Sequence, residues 1–219
     1  MGKTWVCGRL LVELRSRGLT VAARKPAQSF DIDSEGGRLG GATDAERLGQ
    51  ASGEHPGAVC HSFRSYHRAM APPMAAEALG LPPFTVAELI DELVWPADRV
   101  QVGVVEMAGG VRSPQASDGD VVDMAAMLAP DVVLLVSDAG LGTINGVRMS
   151  MDALSRASAA EGASTVVVLD RFDDHHDIHR RNREWLTERN GYRVVVIPGG
   201  ESELADLVSG DDSGSISAS

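Results

Sequence analysis

An α/β fold, with a doubly wound and mainly parallel sheet carrying helices on both faces, follows from three observations. Five short runs are Val-rich and apolar on both faces: "LTVAARKP" at 19–26, "VQVGVVEMAGG" at 100–110, "DVVLLVSDAG" at 131–140, "STVVVLDR" at 164–171 and "YRVVVIPGG" at 192–200. Such strands suit a parallel sheet sandwiched between helices. Helical patterns separate them, and strict alternation of strand and helix selects right-handed crossovers. The 219 residues suffice for one domain with a sizeable core, built from Val, Leu, Ala and Met because aromatics make up only 4%.

Taken in order, helices are expected over Lys3–Arg17, about Thr43–Ala51, Met70–Leu79, Phe84–Leu93, Thr143–Ala160 and about Asp177–Arg189. In the last of these, "HRRNREWL" is read as amphipathic, with Trp185 and Leu186 turned to the core. Gln28–Gly41 is rich in Gly and Asp and is expected to be a mobile loop. The ending "GDDSGSISAS" is polar and Gly/Ser-rich, so residues 1–208 are expected to form the single domain and 209–219 a disordered tail.

Charge narrows the function. Acidic residues outnumber basic ones, 31 to 20, for a net charge of −11. That argues against a nucleic-acid backbone or an anionic membrane surface, which reward clustered Lys and Arg. Cys7 and Cys60 are too few and too far apart for a disulfide framework or a zinc site and are read as reduced thiols. With no signal peptide and no spanning apolar stretch, a cytoplasmic location is expected.

The start carries the first chemical signal. Gly2-Lys3-Thr4, followed by an amphipathic run, matches the end of a phosphate-binding loop, G-x-x-x-x-G-K-[ST], entering its helix. The earlier part of that motif and its strand are not in the chain, so the sheet is expected to lack its middle strand. Ligands of open α/β sheets gather at the carboxyl ends of the strands. Those ends supply Lys25, then Glu106 with Ala108-Gly109-Gly110, then Asp138 running into Gly142-Thr143-Ile144-Asn145, then Asp170. A Lys, an acid followed by glycines and a Gly-rich helix entry are the parts of a phosphate-plus-metal site. The cluster "DDHHDIH" at 173–179 could place His175 and His179 one turn apart, but an exposed helix start favours solvated side chains over a metal.

Together "GKT", "RGLTVAARKPAQS", "MAPPMAAEALG", "VVEMAGG" and "GLGTINGVRMSMDAL" resemble the dethiobiotin synthetase family of phosphate-loop NTPases, in order, from residue 2 to about 198. The resemblance implies a homodimeric ligase that uses ATP, Mg²⁺ and CO₂ to close a ureido ring on the diamine 7,8-diaminononanoate, for biotin biosynthesis. It implies that Gly2, Lys3 and Thr4 bind nucleotide, with Lys3 on the β/γ-phosphates and Thr4 on the metal. Lys25 would stabilise the carbamate and the transferred phosphoryl group. Glu106 and Asp44 would hold Mg²⁺, with Asp31 or Asp33 competing for the role of Asp44. Ser29, Gly109, Gly110 and the helix start Gly142, Thr143, Ile144 and Asn145 would face the substrate. The family commonly reads G-V-G-K-T at this point. A GTG valine codon written as Met1 would then place the true start upstream, and the chain as it stands is expected to bind nucleotide weakly.

Four positions depart from the family pattern. Met107 replaces a Gly beside Glu106, Phe30 replaces a Gly, Pro73 replaces a His, and Asp170 stands where the family has Asn against the nucleotide base. An ionised Asp only accepts hydrogen bonds, which suits the adjacent N–H donors of guanine better than adenine. A switch ATPase of the partitioning type, or a degenerate paralogue with an altered substrate, are the competing readings. The acidic, Gly/Ser-rich ending counts against the membrane-targeted switch.

Overall fold

The computed structural model describes residues 2–33, 37–156 and 163–210. In chain order the elements are α1 (Lys3–Ser16), β1 (Val21–Arg24), β2 (Gln28–Ser29), α2 (Asp44–Ser52), α3 (Pro56–Val59), β3 (Ser65–Tyr66), α4 (Pro72–Ala78), α5 (Val86–Asp91), β4 (Val102–Val105), α6 (Val121–Leu128), β5 (Val132–Asp138), α7 (Thr143–Arg156), β6 (Ser164–Asp170), α8 (Asp177–Glu184), β7 (Arg193–Val196) and α9 (Glu201–Ser209). A 3₁₀ turn at Ser62–Arg64 precedes β3, and a π-helical turn at Trp185–Arg189 follows α8.

Among the described residues the strand pairs are parallel, as two-faced apolar runs suit, and they form three ladders: β1 with β4, β2 with β3, and β5–β6–β7 in that order. β6 shows why the pattern is continuous rather than alternating. Its Val166 and Val168 pack with Val6, Leu10 and Leu14 of α1 and Leu204 of α9. Its Val167 and Leu169 pack with Val147 of α7, Phe172 and Leu186 on the opposite face. Helices on both faces leave no side of this strand for polar residues. α1 also buries its stripe against Val102 of β4, so one helix spans both larger ladders. Cys7 and Leu11 of α1 pack with Leu48 of α2 and Val59 of α3.

Local signals account for the remaining helices. α2 and α5 each begin in a capping box, Thr43 with Glu46 and Thr85 with Glu88. α6 is capped by Asp120, whose carboxylate accepts from Val122 N and Asp123 N. The expected helices at 3–17, 70–79 and 84–93 are present with shorter ends, that at 43–51 runs from Asp44 to Ser52, and that at 177–189 is α8 followed by the π-helical turn. That over 143–160 reaches Arg156, beyond which residues 157–160 lie outside the described residues.

Three expectations need correction. Trp185 is exposed while Leu186 alone is fully buried, because the π-helical turn that starts at Trp185 shifts the phase of the apolar stripe. The segment 28–41 is not simply a loop: Gln28 and Ser29 pair with Ser65 and Tyr66, and Ile32 bridges Arg38. Ser209, assigned to the tail, ends α9, and Gly210 caps it at φ 76°; residues 211–219 lie outside the described residues.

The outer edge of β1 is closed by side chains. Glu54 accepts from Ala23 N at 2.7 Å and from Arg24 Nη1 at 2.8 Å, and Lys25 N donates to Val59 O at 2.7 Å. Burial alone would push the Glu54 carboxyl up, but the Ala23 N–H, Arg24 and Ser52 outweigh it and hold it below the usual carboxylate range. A depressed carboxylate adds stability above its unfolded pKa of about 4.3, and that stability is lost as pH falls through the lowered folded value. Glu54→Gln is therefore expected to cost about 1 kcal/mol at neutral pH. It should also flatten the acid limb of stability below about pH 4.3, read by denaturant titrations across pH. An unchanged acid limb would show that Glu54 does not anchor β1.

Candidate active site at the carboxyl ends of the strands

Parallel pairing brings two of the expected residues together. β1 and β4 run in register with Arg24 opposite Val105, so Lys25 and Glu106 are the next residues out of the same two strand ends. Glu106 N continues the ladder by donating to Arg24 O at 2.9 Å. The side chains meet, with Lys25 Nζ 2.6 Å from Glu106 Oε1. Both residues are only 3% exposed. A charge so placed is tolerated only when paired.

α2 supplies the third member. Its capping box fixes the first turn, and Gln28 Oε1 accepts from Ala45 N at 3.0 Å, tying that turn to β2. Asp44 thereby lies 2.8 Å from Lys25 Nζ through Oδ2. Thr4, in the first turn of α1, places Oγ1 2.9 Å from Asp44 Oδ1 and 2.8 Å from Glu106 Oε1. Of the competing acids, Asp31 accepts from Ala69 N and Asp33 from Gly37 N, both in exposed positions. Asp44 is the acid that joins the cluster.

The turn after β4 completes one wall. Gly109 sits at φ 72°, and a Cβ there would strike the Ser113 side chain, so the turn needs glycine. Lys3 Nζ donates to Gly109 O at 2.7 Å, and Gly110 N donates to Ser113 Oγ at 2.7 Å. Buried Gln115 braces the turn by accepting from Ala108 N at 3.0 Å and donating to Ala108 O at 2.8 Å. Nothing in the sequence singles out Gln115, a lone amide in a polar loop. Met107 turns away from the cluster and packs beside Phe84, Leu89 and Met124.

Charges here are strongly coupled. Burial pulls the Lys25 ammonium down, yet Glu106 and Asp44 outweigh it and raise its pKa. Burial would raise Asp44, but Lys25, Thr4 and Lys3 hold it below the carboxylate range. Lys3 is lowered by burial and by the nearby Lys25. Burial pushes the Cys7 thiol up, and that of Cys60 up to about 12, so both are unreactive thiols near neutral pH, and both are free.

Donor chemistry can be tested against Mg²⁺. Among the described residues no group of three or more His, Cys, Asp and Glu side chains is arranged to hold a metal. The cluster offers two carboxylates and a hydroxyl, the hard oxygen donors that Mg²⁺ takes while keeping several waters. Glu106 Oε2 is buried without a hydrogen-bond partner. These residues fit the ion.

The other expected residues lie apart from this centre. Ser29 Oγ donates to Met70 O at 2.7 Å. Gly142 (φ 91°) precedes α7, where Thr143 Oγ1 donates to Asp138 O, Ile144 is half-buried against the core and Asn145 is exposed beside Met149. Asn182 Nδ2, which sequence reasoning missed, donates to Ala139 O and Gly140 O and fixes that loop. Asp170 ends β6, 3% exposed, with Oδ1 lacking a partner and Arg171 Nε 3.5 Å from Oδ2. It abuts the start of α1 so closely that a Cβ at Gly2 would collide with its carboxylate. In the 173–179 cluster, His176 and His179 stack at 4.3 Å and His179 Nδ1 accepts from Asp173 N, so they bond within the turn.

No protein-family model matches the chain. Named proteins do. A protein of Haloferax mediterranei called ATP-dependent dethiobiotin synthetase BioD is 31% identical over 199 residues, 90% of this chain and 79% of that protein. One of Rhodococcus jostii with the same name is 34% identical over 209 residues, 94% of this chain and 84% of its own length. The chain belongs to the dethiobiotin synthetase family. A third dethiobiotin synthetase, from Anaeromyxobacter dehalogenans, is 37% identical over 159 residues, 71% of this chain and 66% of that protein. Membership fits the mainly parallel α/β fold and makes the protein a ligase by family. Among the described residues no helix is long and apolar enough to cross a membrane.

Proposed function

We propose that the protein is an ATP- and Mg²⁺-dependent cyclo-ligase that forms dethiobiotin from 7,8-diaminononanoate and CO₂. The observation that carries this reading is the cluster of Lys25, Glu106, Asp44 and Thr4 beside Lys3, at the start of α1. One amine of the diamine attacks CO₂, forming a C–N bond and losing a proton to give a carbamate. The carbamate oxygen takes the γ-phosphoryl group, and ADP leaves. The second amine attacks the mixed anhydride, closes the ring and expels phosphate.

No protein nucleophile is required, so positioning and charge neutralisation do the catalysis. Lys3 and the free N–H groups of the first turn of α1 receive the β/γ-phosphates, helped by the helix dipole. Thr4, Asp44 and Glu106 would hold Mg²⁺, which would supply charge neutralisation on the phosphates when bound. Lys25 stabilises the carbamate and the phosphoryl group moving onto it. Ser29, Gly109 and Gly110 line the diamine, and the start of α7 (Gly142, Thr143, Ile144, Asn145) receives its carboxylate from the second subunit of a homodimer. The reaction belongs in the cytoplasm, where ATP is supplied. With γ-labelled ATP, phosphate release should require diamine and bicarbonate together. Equal release from ATP alone would favour a switch ATPase.

The family pattern would put Asp170 at the base, and in the structure its buried carboxylate abuts Gly2 at the start of α1. Its unpaired Oδ1 would accept from guanine, whereas one oxygen would face the adenine N7 lone pair, a mismatch of about 1–3 kcal/mol. Asp170→Asn is expected to sharpen the preference for ATP over GTP, measured as the ratio of the two kcat/KM values. The same ratio in both proteins removes Asp170 from the base site.

A further inference from the structure

Lys25 and the metal assigned to this centre would share the same two carboxylates. The ammonium lies 2.6 Å from Glu106 Oε1 and 2.8 Å from Asp44 Oδ2. Glu106 Oε1 also lies 2.8 Å from Thr4 Oγ1, and Asp44 Oδ1 lies 2.9 Å from it. Three of the four carboxylate oxygens are thus already engaged by an O–H or N⁺–H donor, and the fourth, Glu106 Oε2, is buried without a partner. A divalent ion joining Thr4, Asp44 and Glu106 would sit against a like-charged ammonium that holds the same carboxylates. Placing both cations on these two carboxylates costs like-charge repulsion, which weakens their hold on Lys25. The lysine is the partner that can move, because a four-carbon stem swings a compact charge more readily than two carboxylates held on strand and helix ends can shift.

Resting on the reaction proposed above, we propose that Lys25 is the built-in counter-cation of the Asp44–Glu106 pair and yields these carboxylates to the metal. Its ammonium then reaches the carbamate only when the metal is in place. Lys25 offsets one of the two negative charges in the apo protein, and its release sets an order of events: metal first, then a cation for the phosphoryl acceptor.

Two measurements test this without turnover. Mn²⁺ alone, titrated by electron paramagnetic resonance, should bind Lys25→Met several-fold more tightly than the unmodified protein, because its competitor has gone. Equal or weaker binding overturns the proposal, as does absence of binding in both proteins. Loss of a positive charge could tighten binding without any displacement, so the second measurement follows Lys25 itself in the unmodified protein. Reductive methylation of Lys25, quantified by mass spectrometry, should rise several-fold when Mg²⁺ saturates the site and should not rise in Glu106→Gln. Labelling that Mg²⁺ leaves unchanged shows a fixed ion pair and overturns the displacement. Neither readout uses the diamine, so failure of ring closure and failure of this proposal are separately visible.

Discussion

Lys25→Ala is expected to lower the proposed ring closure by about 10²–10³-fold, the usual effect of removing one preorganised cation or donor from a developing charge. Nucleotide affinity falls far less, because Lys3 and the start of α1 remain. The split follows from position: Lys25 is held by Glu106 and Asp44, while Lys3 reaches the glycine turn. Single-turnover rates and nucleotide titrations on the same preparation separate the two effects. Thermal unfolding of the variant verifies that the uncompensated Glu106 has not undone the fold. Near-normal turnover in a folded Lys25→Ala protein would move the active centre elsewhere.

Glu106→Ala is expected to have the largest effect on stability. It leaves the nearly buried Lys25 ammonium with Asp44 alone and removes one partner of Thr4. Breaking a buried pair in this way costs about 3 kcal/mol, at the lower end of the usual range because Asp44 still neutralises part of the charge. The Mg²⁺ concentration needed for activity rises at the same time. Glu106→Gln keeps an acceptor for Thr4 and should recover part of the stability but not the metal requirement. Chemical denaturation of the three proteins decides it, and a loss below about 1 kcal/mol in Glu106→Ala would show that the pair is not buried as described.

Where physical signals were local, the sequence was readable. The five apolar runs became five parallel strands because burial on both faces leaves a continuous pattern. Lys25 and Glu106 were identifiable because strand ends converge in a parallel sheet, whereas Asp44 was implied only by the family resemblance, with Asp31 and Asp33 as competitors. What was missed lacks a local signature. α6 reads VVDMAAML, apolar nearly all round, so no helical stripe stands out and only the Asp120 cap marks it. β2 and β3 are two residues each, too short for any period. Trp185 was assigned to the core because a π-helical turn cannot be seen in an apolar pattern spaced for an α-helix. Gln115 and Asn182 act through backbone carbonyls and amides brought near only by folding. The split of the larger strands into two ladders under α1 is likewise a matter of strand order, which spacing along the chain does not encode.

The most direct test of the central claim is the fate of carbon from bicarbonate. Incubation of the protein with ¹³C-bicarbonate, 7,8-diaminononanoate, Mg²⁺ and saturating ATP is expected to give dethiobiotin carrying the label at the ureido carbonyl, with one ADP per ring, read by mass spectrometry. ADP formed without any labelled cyclic urea would contradict the account.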